Sequence, residues 1–199
     1  SSDLALNYKA HLKSYETLLV LGATSAVGLV TIEVGKLSGA KVVAVARGRT
    51  KCKLAREMGA DITIDAETEN LTEILKDIGG VDVVYDPIGG ELFGKALSAT
   101  NPEGRILPIG FASGEVPMIP ANIIMVKNLT IIGFNVGLYK EFKEEVLSKC
   151  FKRAIKNCAK KLISPLIDQI FTLEQSNQAL DALRKRRGSG KIIIRVSKG

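Results

Sequence analysis

The segment Thr17-Leu-Leu-Val-Leu-Gly-Ala-Thr-Ser-Ala-Val-Gly28 decides the fold of this chain. Its apolar run, residues 18–21, has the length of a buried strand, and the small residues after it form a turn. A helical pattern follows, with Val30, Val34 and Leu37 on one face. A strand, a tight turn and a helix open a dinucleotide-binding unit, in which the turn and the helix N-terminus bind a pyrophosphate.

The turn lacks two of the three glycines of the usual G-x-G-x-x-G fingerprint. Its frame, residues 23–28, reads Ala-Thr-Ser-Ala-Val-Gly, so that Ala23 and Ser25 stand where glycine is usual and Gly28 keeps the third position. Both replacements are small enough to let the backbone approach a phosphate closely. By itself the stretch also fits an ordinary tight strand-to-helix turn.

The second predicted strand, residues 41–46, leads into a cationic segment. NAD-binding folds usually carry an acidic residue at this strand end, where it bonds the ribose 2′-hydroxyl. Here the position is Ala46, and Arg47, Arg49 and Lys51 follow it. Because Arg and Lys bind a 2′-phosphate that an acid would repel, the segment predicts NADP(H) rather than NAD(H). The alternative interpretation is a solvated loop and the first turn of a helix.

Strand and helix patterns alternate along the rest of the chain. Further strands are predicted over residues 62–65, 81–86, 105–110 and 129–134. Helices are predicted over residues 50–58, 70–78, 92–97 and 121–126. The alternation predicts an α/β fold, a Rossmann-type doubly wound sheet of six parallel strands in the order 3-2-1-4-5-6. The ligand crevice is then expected where the turns 23–28, 86–90 and 110–114 meet, at the carboxyl ends of the strands.

Composition bounds the class of protein. The chain has 199 residues, of which 46% are hydrophobic and 25% charged, close to the globular average. No apolar run approaches the roughly 20 residues of a membrane helix. The cysteines, Cys52, Cys150 and Cys158, show no C-x-x-C spacing, so we expect reduced thiols, no metal site and a cytoplasmic location.

Three segments around the predicted crevice carry a family signature. They are Leu21-Gly-Ala-Thr-Ser-Ala-Val-Gly28, Val81-Asp-Val-Val-Tyr-Asp-Pro-Ile-Gly-Gly90 and Gly104-Arg-Ile-Leu-Pro-Ile-Gly-Phe-Ala-Ser-Gly114. With Lys127-Asn-Leu129 and Gly190-Lys-Ile-Ile-Ile-Arg-Val196, they resemble quinone oxidoreductases, the zeta-crystallin-like, zinc-free branch of the medium-chain dehydrogenase/reductase superfamily. Ser25-Ala26 stand where that family usually shows Gly-Gly. The resemblance implies hydride transfer from NADPH to a quinone or an activated enone.

The resemblance also implies a map of cofactor contacts. The pyrophosphate would lie against Ser25, Ala26, Val27 and Gly28. The 2′-phosphate would be held by Arg47 and Lys51, and Gly89 would lie near the adenosine and its ribose. The nicotinamide would be bordered by Ile109, Gly110, Phe111 and Ala112, and by Val136, Gly137 and Leu138. No catalytic residue is assigned, because the proton donor and half of the substrate slot would come from another domain.

The same resemblance implies that the chain divides into two parts. Residues 1–138 are expected to form the NADP(H)-binding Rossmann domain. Residues 139–199 would carry C-terminal helices and a last strand that belong partly to the substrate domain. Members of the family have an N-terminal GroES-like substrate domain that this sequence lacks, and its opening at Ser1 without Met indicates an excised piece. We therefore expect the chain alone to be inactive.

Two segments of the sequence bear on the partners of the chain, which could be a second copy of itself or a nucleic acid. The sixth strand is the expected edge of the sheet, and its run 129–134 is apolar and uncharged. Because nucleotide domains pair across this edge in the resembling family, we expect a homodimer through residues 129–136. Residues 140–161 read as one amphipathic helix that carries eight Lys or Arg against three acids, and residues 184–187 form a second basic cluster. No aromatic side chains interleave these cations, so a solvated helix face is favoured over a nucleic-acid partner.

Other functions stay open. A zinc-free reductase of 2-alkenals or enoyl thioesters would share the same cofactor half, and a non-enzymatic NADPH-binding or RNA-binding protein is the alternative from another class. Tyr139 and Lys143 have the Y-x-x-x-K spacing of short-chain dehydrogenases, but the glycine pattern of that family is absent. The start of a helix is the favoured interpretation of these two residues.

Overall fold

The computed structural model describes residues 1–185 and 188–196, and one parallel sheet organises most of them. Its strands are β1 (Thr17–Val20), β2 (Lys41–Ala46), β3 (Ile62–Asp65), β4 (Val81–Asp86), β5 (Thr100–Pro108) and β6 (Thr130–Ile131). Their order is β3-β2-β1-β4-β5-β6, which confirms the predicted Rossmann-type topology. Arg186 and Arg187 of the predicted basic cluster lie outside the described residues, as do residues 197–199.

Helices cover both faces of the sheet. They are α1 (Ala26–Leu37), α2 (Arg49–Glu57), α3 (Leu71–Asp77), α4 (Gly90–Ala99) and α5 (Ala121–Lys127), and a π-helical segment, Leu4–Lys9, precedes β1. Successive residues of β1 serve opposite cores, because side chains alternate along a strand. Leu18 packs with Ile32 of α1 in one core, and Leu19 packs with Phe93 of α4 in the other. All four are almost fully buried.

The C-terminal part forms a small second sheet. The elements of this part of the chain are α6 (Tyr139–Phe142), α7 (Glu144–Ala159), β7 (Ile167–Thr172), a 3₁₀ turn (Leu173–Gln175), α8 (Ser176–Arg184) and β8 (Lys191–Arg195). Strand β7 pairs with β8 in parallel, apart from the main sheet. Strand β7 was not predicted, since its polar residues Asp168 and Gln169 interrupt any apolar run.

The predicted extent of the sixth strand, residues 129–134, is wrong, because β6 has only two residues. Ile131 aligns with Ile106 of β5, and the amide of Ile132 still donates to the carbonyl of Ile106 at 2.8 Å. The next bond of a parallel ladder would need an N–H from Pro108, which has none. The ladder therefore ends at Pro108.

The single helix predicted over residues 140–161 is also wrong in detail. Lys143, with φ −149° and ψ 53°, separates α6 from α7. Its ammonium donates to the hydroxyl of Tyr8 at 3.0 Å, while Tyr139 is buried against the same Tyr8 ring. Further along the chain, α8 begins only at Ser176, because the side chain of Gln175 accepts from the amide of Thr172 and closes the 3₁₀ turn that precedes it.

Candidate cofactor site

The turn between β1 and α1 is built around Ser25. Ser25 is extended, with φ −67° and ψ 163°, and its Oγ accepts a hydrogen bond from the amide of Gly28 at 3.0 Å. The serine that replaces a glycine of the fingerprint is therefore the N-cap of α1. The side chain of Ser25 is exposed, and that of Val27 is 37% exposed, so this end of the helix is open to a ligand.

Gly28 is the position in this turn that admits no side chain. A Cβ on Gly28 would lie 2.5 Å from the carbonyl oxygen of Gly22 and 2.7 Å from the carbonyl of Ala23. These are backbone atoms, and they cannot move aside cheaply. The third glycine of the fingerprint thus lets the first turn of α1 pack directly on the loop.

A carboxylate from the neighbouring strand shapes the cationic loop after β2. Asp65, at the end of β3, accepts hydrogen bonds at Oδ1 from the amides of Gly48 at 2.8 Å and Glu67 at 3.0 Å. These two bonds hold the pKa of Asp65 below its usual range. Gly48, at φ +83°, is the N-cap of α2 and is flanked by the exposed Arg47 and the half-buried Lys51.

Asp86 closes the carboxyl end of β4 with a buried carboxyl group. Its Oδ1 accepts from the amides of Ile88 at 2.7 Å and Gly89 at 2.9 Å. Its Oδ2 is buried and has no hydrogen-bond partner among the described residues. Burial raises the pKa of Asp86, against the opposing effect of the two amides. The turn over residues 87–90 is thereby fixed from inside the protein.

The structure brings the three predicted turns together. A Cβ on Gly22 would lie 2.6 Å from Cδ1 of Ile88, which joins the first turn to the second. The second turn is joined to the third by the amide of Ser113, which donates to the carbonyl of Ile88 at 2.9 Å. Gly89, at φ +70°, is buried, and a Cβ there would lie 2.7 Å from the carbonyl oxygen of Glu115. The three turns therefore adjoin one another, as the sequence predicts.

The residues predicted to border the nicotinamide lie on two loops. Ile109 and Gly110 follow β5 half-buried, while Phe111 is 45% exposed and Ala112 is exposed. Val136, Gly137 and Leu138 follow β6, and Leu138 is 49% exposed. Phe134 connects the two loops, because it packs with Ile109 against the main core and with Val136 against the small cluster around Tyr139.

Sequence patterns missed the two carboxylates that organise this site. Asp65 and Asp86 each end a predicted strand, which is where residues that face a crevice lie in parallel sheets. That position was the available signal. Nothing in the sequence showed that their oxygens would accept from the amides of the cationic loop and of the turn at 87–90.

The basic face of α7 is partly engaged within the molecule. Arg153 donates to both carboxylate oxygens of Asp3, at 2.8 and 2.6 Å, and so joins α7 to the N-terminal segment. Lys149, Lys152 and Lys156 are exposed. Arg153 thus forms an ion pair within the molecule, although its side chain remains 47% exposed.

Neither a metal centre nor a membrane span was found in the part of the chain that the structure describes. No three His, Cys, Asp or Glu side chains there come together as ligands for an ion. No helix among the same residues combines the length and the apolar character needed to cross a bilayer.

Comparison with known proteins places the chain in a family. The family of zinc-binding dehydrogenases matches residues 26–152. The chain is 35% identical over 194 residues to quinone oxidoreductase-like protein 2 of Bos taurus, covering 96% of this chain and 56% of the relative. It is 30% identical over 200 residues to NADPH-dependent curcumin reductase of Escherichia coli, covering 93% of this chain and 56% of the relative.

Solved structures show the same fold. Quinone oxidoreductase of Escherichia coli, solved in complex with NADPH, superposes with a TM-score of 0.85 at 24% identity. The match covers 97% of this chain and 62% of that protein. The chain thus spans little more than half the length of the curated relatives it matches.

Proposed function

The chain belongs to the zinc-binding dehydrogenase family, in its quinone oxidoreductase-like branch, and on that premise we propose that it binds NADP(H) in the crevice formed by its three turns. The NADPH dependence named for the curcumin reductase supports this proposal. So does the fit of the first turn to a pyrophosphate. Ser25, the N-cap of α1, is exposed, and a phosphate beside it would gain from the helix dipole.

The cationic loop is the observation that carries the choice of NADP(H). Arg47 and Lys51 flank the start of α2, and Ala46 stands where an NAD-binding fold would carry its acid. The nearby carboxylate of Asp65 is occupied by the amides of Gly48 and Glu67. A 2′-phosphate in this loop would therefore meet two cations beside a carboxylate that is already hydrogen-bonded.

The proposed reaction is a zinc-independent hydride transfer to a quinone or an activated enone. NADPH, when bound, supplies the hydride. The chain's own part is to orient the cofactor: Ser25 to Gly28 and the cationic loop would bind its phosphates, and Gly89 would lie by the adenosine and its ribose. Ile109, Gly110, Phe111 and Ala112, with Val136, Gly137 and Leu138, would give the nicotinamide a largely apolar border that excludes water.

We propose that the cofactor domain ends at residue 138 and that residues 139–199 belong partly to a substrate domain. The rest of that substrate domain would cover the small C-terminal sheet. Ile167 and Ile170 of β7 are 53% and 52% exposed, and Ile193 of β8, which aligns with Ile170, is 37% exposed. Apolar strands in this state leave a face that another domain can bury. We place the proton donor and half of the substrate slot in that domain, so that the chain alone is expected to be inactive.

A homodimer through residues 129–136 is the proposed assembly. Strand β6 is the last strand of the sheet, and a bare edge favours pairing with another strand. Apolar side chains on α5 extend the surface beside it, since Met125 and Val126 are 73% and 75% exposed.

The free thiols of Cys52, Cys150 and Cys158 support the proposal of a reducing, cytoplasmic location.

Titration of the chain with NADPH and NADH, followed by thermal unfolding, tests the cofactor proposal. A ligand at a hundredfold excess over Kd raises the free energy of unfolding by about 2.7 kcal/mol. We expect stabilisation by NADPH, little by NADH, and loss of the NADPH effect in the double variant Arg47→Ala, Lys51→Ala. Lys53→Ala is the matched control, because Lys53 lies on the same helix and its side chain is 79% exposed. Equal stabilisation by both nucleotides, or by neither, would contradict the proposal.

A further inference from the structure

A segment far along the chain holds the turn between β1 and α1. The amide of Gly190 donates to the carbonyl of Thr24 at 3.1 Å, and Gly190 pairs with Ser25 as an isolated parallel bridge. The next amide, that of Lys191, donates to the carbonyl of Leu166 at 2.8 Å. Gly190 therefore joins the start of β8 to the turn, and Lys191 joins it to the segment before β7.

The peptide between Thr24 and Ser25 is held at both of its polar atoms. Its carbonyl accepts from Gly190, and its N–H donates to the carbonyl of Gly22 at 3.0 Å. Since the peptide unit is planar, these two bonds set its orientation. That orientation places Ser25, whose Oγ caps Gly28 and whose carbonyl accepts from Leu29 at 3.0 Å.

Glycine is required at position 190 for this contact. Its φ is +86°, a conformation that L side chains rarely adopt. A Cβ there would lie 2.6 Å from the carbonyl oxygen of Leu166 and 3.1 Å from its Cβ. Leu166 has little room to yield, because it packs against the main core, in which the neighbouring Ile163 is 4% exposed.

A second contact holds the same segment on α1. Oε1 of Glu33 accepts a hydrogen bond from the amide of Ser164 at 2.8 Å. The segment over residues 163–166 is thus attached to the far part of α1, and Gly190 is attached to the turn at its N-terminus. The C-terminal part and the turn form one continuous structure.

We propose that Gly190 is a positioning residue for pyrophosphate binding, because it holds the Thr24–Ser25 peptide in the orientation that directs the first amides of α1 toward the ligand. This inference rests on the proposed function. It predicts that affinity for the diphosphate part of the cofactor depends on a residue that follows the turn by more than 160 positions.

Comparison of Gly190→Ala with the wild-type chain tests the proposal. We expect the Kd for NADPH to rise about tenfold or more, since the new Cβ pushes residue 190 away from Leu166, breaks its hydrogen bond to Thr24 and displaces the turn. The Kd for adenosine 2′-monophosphate, which has no diphosphate and would use the cationic loop, should not change. A merely destabilised protein would lose both ligands together. Gly188→Ala is the matched control, since its Cβ would meet the side chain of Asp168 and not the turn.

Hydrogen exchange of the amides of Ser25 and Gly28 supplies a readout that needs no ligand. We expect faster exchange of both in Gly190→Ala and no change in Gly188→Ala. Unaltered exchange, or an unaltered ratio of the two Kd values, would overturn the proposal. If the wild-type chain binds no nucleotide while Gly190→Ala still exchanges faster, the cofactor proposal fails and Gly190 stands as the residue that orders the turn.

Discussion

Arg105 and Glu16 form a two-pronged ion pair beside the amino ends of the strands. Nη1 of Arg105 lies 2.5 Å from Oε1 of Glu16, and Nη2 lies 2.8 Å from Oε2. The same guanidinium donates to the carbonyl of Ala10 from Nε and Nη2. The two side chains are 17% and 10% exposed. The pair therefore fastens the segment before β1 to β5.

Replacement of Arg105 by Met should be strongly destabilising. The change leaves the carboxylate of Glu16 buried without its partner, and we expect the free energy of unfolding to fall by about 3 kcal/mol at pH 7. Urea unfolding measures this. Lys95→Met is the control, because it breaks an exposed pair with Glu91 and should change little. Equal effects of the two variants would refute the assignment.

At acid pH, the free energies of unfolding of the wild type and of Arg105→Met should differ less than they do at pH 7. Burial alone would raise the pKa of Glu16, but hydrogen bonds from Arg105 and from the amide of Lys13 outweigh it and leave the pKa below its usual range. The stabilisation is thus present above about pH 4.5 and is lost as the pH falls through the lowered pKa. Unfolding at pH 3 and pH 7 provides the comparison, and a gap that does not depend on pH would argue against the pair.

Asp86 should have the opposite pH dependence. Because burial raises the pKa of Asp86, its native state binds a proton more tightly than its unfolded state does. Its contribution to stability is therefore full below about pH 4 and declines as the pH rises toward the raised pKa. We expect Asp86→Asn to gain stability relative to wild type between pH 4 and pH 7, since its amide oxygen can still accept from Ile88 and Gly89. A constant difference across that range would show that Asp86 titrates normally.

Two glycine-to-alanine changes should have opposite effects on the stability of the protein. Gly28→Ala puts a Cβ 2.5 Å from the carbonyl oxygen of Gly22, so it should lower the melting temperature and abolish stabilisation by NADPH. Gly94→Ala, within α4, places its new Cβ more than 4 Å from any atom outside the backbone of its own helix and its chain neighbours. It should raise the free energy of unfolding by about 0.5 to 1 kcal/mol and leave NADPH binding intact. Similar effects at both positions would mean that the turn can relax around a side chain.

The proposed homodimer has a test at the sheet edge. Gly133 lies just beyond β6, and a Cβ there would enter open space. Proline at this position removes an N–H that alternation along the strand directs away from β5. In light scattering we expect the wild type and Gly133→Ala to have twice the chain mass of 21.4 kDa, and Gly133→Pro to have the monomer mass. A monomeric wild type would rule out the proposed assembly.

Local pattern was a sound guide to the main sheet. The predicted strands 41–46, 62–65 and 81–86 match β2, β3 and β4 residue for residue. Parallel strands are buried on both faces, so their apolar runs are continuous and their ends are marked by polar residues or turns. The same logic failed for β7, which is largely exposed, and for β6, whose length depends on the missing N–H of Pro108 in a different strand.

By itself the sequence determined the turn that ends at Gly28 and the cations after β2, because both depend on residues adjacent in the chain. It also determined the strand order, because the alternation of strands and helices leaves few ways to connect a parallel sheet. Only the tertiary structure decided what those elements bond to. Asp65 caps the cationic loop from another strand, and Gly190 reaches Thr24 across most of the chain. A hydrogen bond depends on where two atoms lie in space, and for partners so far apart that place is set by the packing of the whole fold.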